Sequence, residues 1–310
     1  PLFIIAILNI RKKMDNTILA VGSIALDSLQ TPNGNRSGLV GGSATYFSIA
    51  ASRYTTVNAV GVVGSDFPQI GWDLFSQHNI NTENVQVVNG KTFSWGGKYN
   101  EDYSARETQF TDLGVFETFS PTISSGVNSK YVFLGNIQPG LQSLVKRQVA
   151  TDAILVLDTM NLWIDNNLKE VLDVISDIDV FLLNDEEALL LTKESSLRVA
   201  GEKLLTMGPK TVIIKQGAHG STMFNNNQCI YVPSVPNINV LDPTGAGDSF
   251  AGGFVGYLAK HNNDDYFNAI IHGTAIASFT VSGFGVEGLV ESVSSNIVDR
   301  VNLIKRMCDE

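Results

Sequence analysis

The sequence predicts an α/β fold, with a mainly parallel sheet flanked by helices and a small β-lid protruding from it. Three observations lead there. Short apolar, β-branched runs recur along the chain, too continuous for the alternation of a one-sided sheet, so they read as strands buried on both faces. Segments with helical periodicity lie between them, and strands alternating with such helices call for parallel pairing through crossovers. Two stretches, residues 27–40 and 85–116, lack that periodicity and are too short for a domain, so they read as strands standing out from the main sheet.

Residues 2–10 are largely apolar and are followed by Arg11, Lys12 and Lys13. A membrane helix needs about 20 apolar residues, and a secretory signal carries its positive charges before the apolar run. Met14 stands just before the first strand, so residues 1–13 are expected to be an upstream extension and residues 14–310 one domain. Strands are predicted over 17–22, 57–63, 131–134, 153–157, 180–183 and 211–215. Helices are predicted between them over 43–53, 70–78, 141–150, 168–176, 185–191 and 197–207. Residues 221–224 and 228–233 read as a hairpin around Asn225, Asn226 and Asn227, because Asn tolerates the turn geometry. Helical patterns then dominate over 246–260, 265–282 and 295–308, with Ala275, Ile276, Ala277 and Phe279 expected in the core.

A chain of 310 residues buries enough core to need no disulfide or metal staple. Its 44% apolar and 17% charged residues exclude disordered and coiled-coil classes. Acidic residues outnumber basic ones 31 to 21, giving a formal charge of −10 that repels phosphate backbones and argues against nucleic-acid binding. An anionic ligand must therefore be held by a local device. Cys229 and Cys308 have neither zinc nor redox spacing, which fits a reducing compartment. With no segment that reads as a membrane span, a cytoplasmic location is expected. His78, His219, His261 and His272 show no metal spacing.

The densest chemical signal is Asp242-Pro243-Thr244-Gly245-Ala246-Gly247-Asp248, which runs straight into a helical pattern. Glycines let backbone N–H groups converge, and a helix N-terminus adds partial positive charge, so the string reads as an anion site. Asp248 inside such a ring is placed to take a proton from an attacking hydroxyl. Read alone, it is equally a helix-capping Asp in a glycine turn.

This string resembles the signature of the ribokinase-like (PfkB) family of carbohydrate and nucleoside kinases, with Pro243 where that family more often has Thr. Further matches follow in the family's order. Gly41-Gly42 before a helix resembles its N-terminal signature, and Asp27 falls where sugar hydroxyls are held. Asn184-Asp185-Glu186-Glu187 resembles its Asn-x-x-Glu motif, and Lys215-Gln216-Gly217-Ala218-His219-Gly220 its Lys-x-Gly-x-x-Gly loop. The resemblance implies a ribokinase-like fold with ATP and Mg²⁺ as cofactors. Asp248 would be the catalytic base, with Gly245, Ala246 and Gly247 as the anion hole. Asp27, Gly41, Gly42 and Tyr46 would hold the acceptor. Asn184, Glu187, Gly217, Gly220 and Thr244 would serve the nucleotide, with Asn184 and Glu187 holding Mg²⁺ through water. The loop at 281–288 falls where relatives bind adenine and a monovalent cation. Each secondary motif also has a plain structural reading: Asn184 as a helix N-cap, Gly41-Gly42 as a tight loop, and Lys215 as a strand-end ion-pair residue.

The acceptor is less marked. Tyr46 stands where sugar kinases usually carry Asn, and residues 92–99 alternate aromatic and polar, with Phe93, Trp95 and Tyr99 on one face. Aromatic faces suit a nucleobase, so a nucleoside acceptor is slightly favoured over a sugar or sugar phosphate. The overall look, including Asp158-Thr159-Met160-Asn161, resembles bacterial nucleoside-kinase-like members. The same aromatics fit a lid core or a lid-to-lid homodimer. Arg106 is placed to meet an anionic acceptor or simply solvent. A non-catalytic ligand-binding relative is disfavoured by the intact Asp248 string. A dinucleotide oxidoreductase is disfavoured because Gly22-Ser23-Ile24-Ala25-Leu26-Asp27 lacks the glycine fingerprint, and no P-loop string is present.

Overall fold

The computed structural model describes residues 14–309, and the expected extension 1–13 lies outside the described residues. The strands in chain order are β1 (Asp15–Val21), β2 (Ala25–Thr31), β3 (Gly34–Gly41), β4 (Val57–Gly64), β5 (Asn81–Val88), β6 (Ser94–Tyr99) and β7 (Arg106–Asp112). They continue with β8 (Ser129–Leu134), β9 (Ile154–Asp158), β10 (Val180–Asn184), β11 (Thr211–Lys215), β12 (Ser221–Asn225) and β13 (Cys229–Val232). The main sheet has nine strands in the order β13-β12-β11-β10-β9-β8-β1-β4-β5. Pairing is parallel from β11 through to β5 and antiparallel in the β11-β12-β13 edge. The parallel centre and its flanking helices match the fold class expected from the sequence.

Burial on both faces explains the continuous apolar runs. Along β1, Ile18 and Ala20 face one apolar cluster with Phe47, Phe133 and Phe254. Leu19 and Val21 face the other, with Val132, Leu134 and Leu204. Successive side chains of a strand point to opposite faces, so both parities must be apolar. The first face is covered by helices Ser43–Ala51, Ala246–His261 and Tyr266–Thr280. Phe47 and Phe133 stack there at 3.9 Å, joining helix to sheet.

The lid is a four-stranded sheet in the order β3-β2-β6-β7. It is mixed: β2 pairs parallel with β6, and the outer pairs are antiparallel. The expected lid segment 85–116 needs correction at its start. Residues 85–88 end β5, the outermost strand of the main sheet, paired parallel with β4. As an edge strand it is buried on one side only, and Val87 is 63% exposed, so it lacks the two-sided apolar run of its neighbours. Among the described residues, no helix is long and apolar enough to cross a membrane.

Candidate active site

Parallel strands end on a common edge, and ligands of open α/β sheets bind at those carboxyl ends. Here that edge gathers Asp158 from β9, Asn184 from β10 and Lys215 from β11. The glycine turn faces them. Gly245 has φ +73° and caps helix Ala246–His261, and a Cβ there would run into the Tyr46 ring, so both backbone and packing require Gly. Fully buried Asp242 holds the turn, accepting from the Thr244 N–H at 2.9 Å and the Gly285 N–H at 2.9 Å. The 281–285 segment is thereby pinned to the glycine turn.

Asp248 lies in the first turn of that helix. Burial and then the Asp158 carboxylate push its pKa up to about 7, against the pull of the Lys215 ammonium. Lys215 Nζ stands 3.0 Å from Asp158 Oδ2, and 3.1 Å from where a Gly247 Cβ would sit. Burial would discharge this lysine, but Asp158 and Glu187 together hold its pKa above the ordinary value. A fixed cation therefore adjoins the N–H groups of the turn, beside a carboxyl poised near neutrality.

Asn184 and Glu187 form a reciprocal capping box on helix Asp185–Thr192. The Glu187 N–H donates to Asn184 Oδ1 and the Asn184 N–H to Glu187 Oε2, both at 2.8 Å. The structural reading of this motif is thus realised. Burial and then Asp158 push Glu187 up to about 7. Among the described residues, no three His, Cys, Asp or Glu side chains cluster as a metal cage. The carboxylates of Glu187 and Asp158 are hard oxygen donors that suit Mg²⁺ through its water shell.

On the lid side, Asp27 of β2 is 3% exposed, and burial followed by the Asp242 charge pushes its pKa up to about 7. Gly41 makes room for it, since a Cβ there would overlap the carboxylate. Gly42, at φ +89°, passes so close to the Ser23 carbonyl that no side chain fits. Tyr46 corrects the expectation of an open aromatic face. It is 1% exposed, with its ring laid against Gly245 and Gly41. Its hydroxyl is buried without a hydrogen-bond partner in the electrostatic reach of Asp27 and Asp242. The ring presents no stacking surface.

The aromatic run of the lid divides. Trp95 pairs with Asp27 across β6 and β2, so it shares that face with Tyr99. The Arg106 guanidinium lies over the Trp95 ring at 5.0 Å. Phe93 instead meets Phe116 at 5.7 Å. The Tyr99 hydroxyl is 2.9 Å from the Thr244 hydroxyl. Thr244, expected to serve the nucleotide, is in contact with the lid.

A cavity of about 700 Å³ adjoins the turn, with Lys215 and Gly247 in its wall. Gly217, His219 and Gly220 line it, as do Ile238, Phe250 and Val281. The buried Ser221 hydroxyl in its wall has no partner. The volume and the Lys215 ammonium in the wall suit a nucleotide. The sequence reading left out the Asp158–Lys215 pair. Its signal was an acid and a base, each closing a buried strand.

Residues 14–292 match the model of the pfkB family carbohydrate kinases. The chain is 26% identical to a cytidine kinase of Thermococcus kodakarensis over 77% of this chain and 87% of that protein. Its fold resembles that of a Burkholderia thailandensis nucleoside kinase solved in complex with inosine, with TM-score 0.77, 19% identity, and coverage of 93% of this chain and 98% of that one. It also resembles a ribokinase II of E. coli solved with ATP and Mg²⁺, with TM-score 0.74, 18% identity, and coverage of 94% and 99%.

Proposed function

The chain belongs to the pfkB family of carbohydrate kinases, and we propose that it transfers the γ-phosphoryl group of ATP to a hydroxyl of a nucleoside. The observation that carries this is the meeting of Asp248, Lys215 and the glycine turn at the boundary between the lid and the 700 Å³ cavity. A nucleotide in that cavity has its phosphate end at Lys215 and Gly247. An acceptor under the lid has Asp27 to bond its hydroxyls.

Phosphoryl transfer needs positioning and charge neutralisation more than covalent catalysis. Asp248 accepts the proton of the attacking hydroxyl as its oxygen bonds the γ-phosphorus and the bond from that phosphorus to the β,γ-bridging oxygen breaks, with ADP as the leaving group. The N–H groups of Gly245, Ala246 and Gly247, with the Lys215 ammonium, stabilise the charge on the migrating phosphoryl oxygens. Asp158 keeps Lys215 charged and fixed. Mg²⁺ would neutralise phosphate charge, with Glu187 and Asp158 bonding to its water shell. The closed lid excludes water, which would otherwise take the phosphoryl group.

The nucleoside preference is supported by the Trp95–Arg106 pair on the Asp27 face and by similarity to a cytidine kinase. A sugar or sugar-phosphate acceptor is the second reading, favoured by Arg106 alone as a cation beside Asp27. The lid-mediated homodimer belongs to the same proposal, supported by β7, which is exposed along its whole length. A kinase screen of ribose, fructose, inositol, sugar phosphates and nucleosides with ATP and Mg²⁺ tests the acceptor. Turnover of cytidine, inosine or adenosine is expected. Efficient phosphorylation of ribose or fructose with no nucleoside turnover would exclude the nucleoside and leave the kinase.

A further inference from the structure

We propose that Tyr99 is a positioning residue that sets the anion turn only when the lid lies over the acceptor. Its effect passes through the hydroxyl of Thr244. The inference rests on the kinase reading above.

Tyr99 ends β6, whose partner β2 carries Asp27, and the two strands pair without a register break from Leu26 with Ser94 to Gln30 with Lys98. The strand pair that brings a carboxylate to the acceptor therefore also brings the Tyr99 hydroxyl to the turn. That hydroxyl is 2.9 Å from Thr244 Oγ1, one residue before Gly245. Other contacts seat the same lid just upstream. Asn33 Nδ2 donates to the Tyr103 hydroxyl at 2.6 Å and to the Val240 carbonyl at 3.0 Å. The Tyr103 hydroxyl donates to the Leu241 carbonyl at 3.1 Å. The bonds to Val240 and Leu241 end on the backbone before Asp242, whereas Tyr99 reaches a side chain within the turn.

The turn does not need Tyr99 in order to fold. Asp242 already ties it to the Thr244 and Gly285 N–H groups and bonds the Thr244 hydroxyl as well. What Tyr99 adds is a second hold on the Thr244 hydroxyl, coming from the lid, and with it the approach of the residue that leads into Gly245. Closure and assembly of the phosphoryl site then become one event, so transfer to an acceptor is favoured over transfer to water.

The test is kinetic, with Tyr99→Phe, Thr244→Val and their double variant. The phenylalanine keeps the buried ring and removes one neutral hydrogen bond, worth roughly tenfold. Expected results are a fall of about tenfold in kcat for Tyr99→Phe, KM for ATP within about twofold, and a smaller ratio of acceptor phosphorylation to ATP hydrolysis. On the Thr244→Val background, Tyr99→Phe should cost less than about twofold, because its route is gone. Thr244→Ser, which keeps the hydroxyl, should stay within about twofold of wild type. The proposal is overturned if Tyr99→Phe retains kcat, if it costs the same tenfold on the Thr244→Val background, or if Thr244→Ser falls as far as Thr244→Val. A wild-type enzyme that phosphorylates no hydroxyl acceptor would instead defeat the kinase reading itself.

Discussion

A carboxyl group that must take a proton near neutral pH has to be less acidic than an ordinary aspartate, and Asp248 meets that need through burial and the neighbouring Asp158 charge. Lys215 keeps the shift from running further. Asp248→Asn keeps the size and hydrogen bonding of the side chain but cannot accept the proton. Its kcat is expected to fall at least about 100-fold while ATP binding survives, and steady-state kinetics with nucleotide titration checks both. As the base must be ionised, wild-type kcat/KM should rise with pH up to about 7 and then level. Near-normal turnover by the variant would remove Asp248 from the mechanism. Gly245 was legible in the sequence because positive φ and close approach to the Tyr46 ring leave no other residue. The Asp158–Lys215 pair was not, since its members lie 57 residues apart and only the parallel register of β9, β10 and β11 brings them together.

At the scale of elements, one motif can hold a helix and serve an ion at once. Glu187 closes the capping box with an oxygen that Gln also possesses. Glu187→Gln should therefore fold normally yet need more Mg²⁺ for half-maximal rate, because only the charge is lost. An unchanged Mg²⁺ dependence would leave Glu187 as a cap alone. The lid makes a comparable prediction. Trp95→Ala removes the support beneath Arg106 on the Asp27 face. If a base stacks there, KM for a nucleoside should rise about 5- to 150-fold, from roughly 1–3 kcal/mol per stacked base. KM for a bare pentose should change far less, and equal changes would assign Trp95 to lid packing. Two-sided strands were legible from composition alone. The lid was recognised from what it lacks, so its limits blurred: β5 has the one-sided pattern of an edge and reads like a lid strand. Tyr46 misled for a related reason, because an aromatic in a signature says nothing about which of its faces is covered.

Across the whole molecule, function and stability meet in the carboxyls that hold their protons longest. Asp27, Glu187 and Asp248 are each pushed up to about 7 where helix, sheet and lid converge. For Asp248 the ordinary value is 3.8, so between about pH 4 and 7 the unfolded chain has released this proton and the folded chain retains it. The state that binds more protons is favoured at low pH. The contribution of Asp248 is therefore fully present below its unfolded pKa and is lost as pH rises through about 7. It is lost over the same interval in which the base becomes active, so the enzyme gives up stability where it gains turnover. Asparagine does not titrate and escapes this loss. The Tm of Asp248→Asn relative to wild type should accordingly be higher at pH 8 than at pH 5, with the change centred between those values. Thermal unfolding of both proteins across that range measures it. A Tm difference independent of pH would mean that Asp248 ionises like a solvent-exposed aspartate, and a carboxyl so acidic could not serve as the poised base that the glycine turn and Lys215 surround.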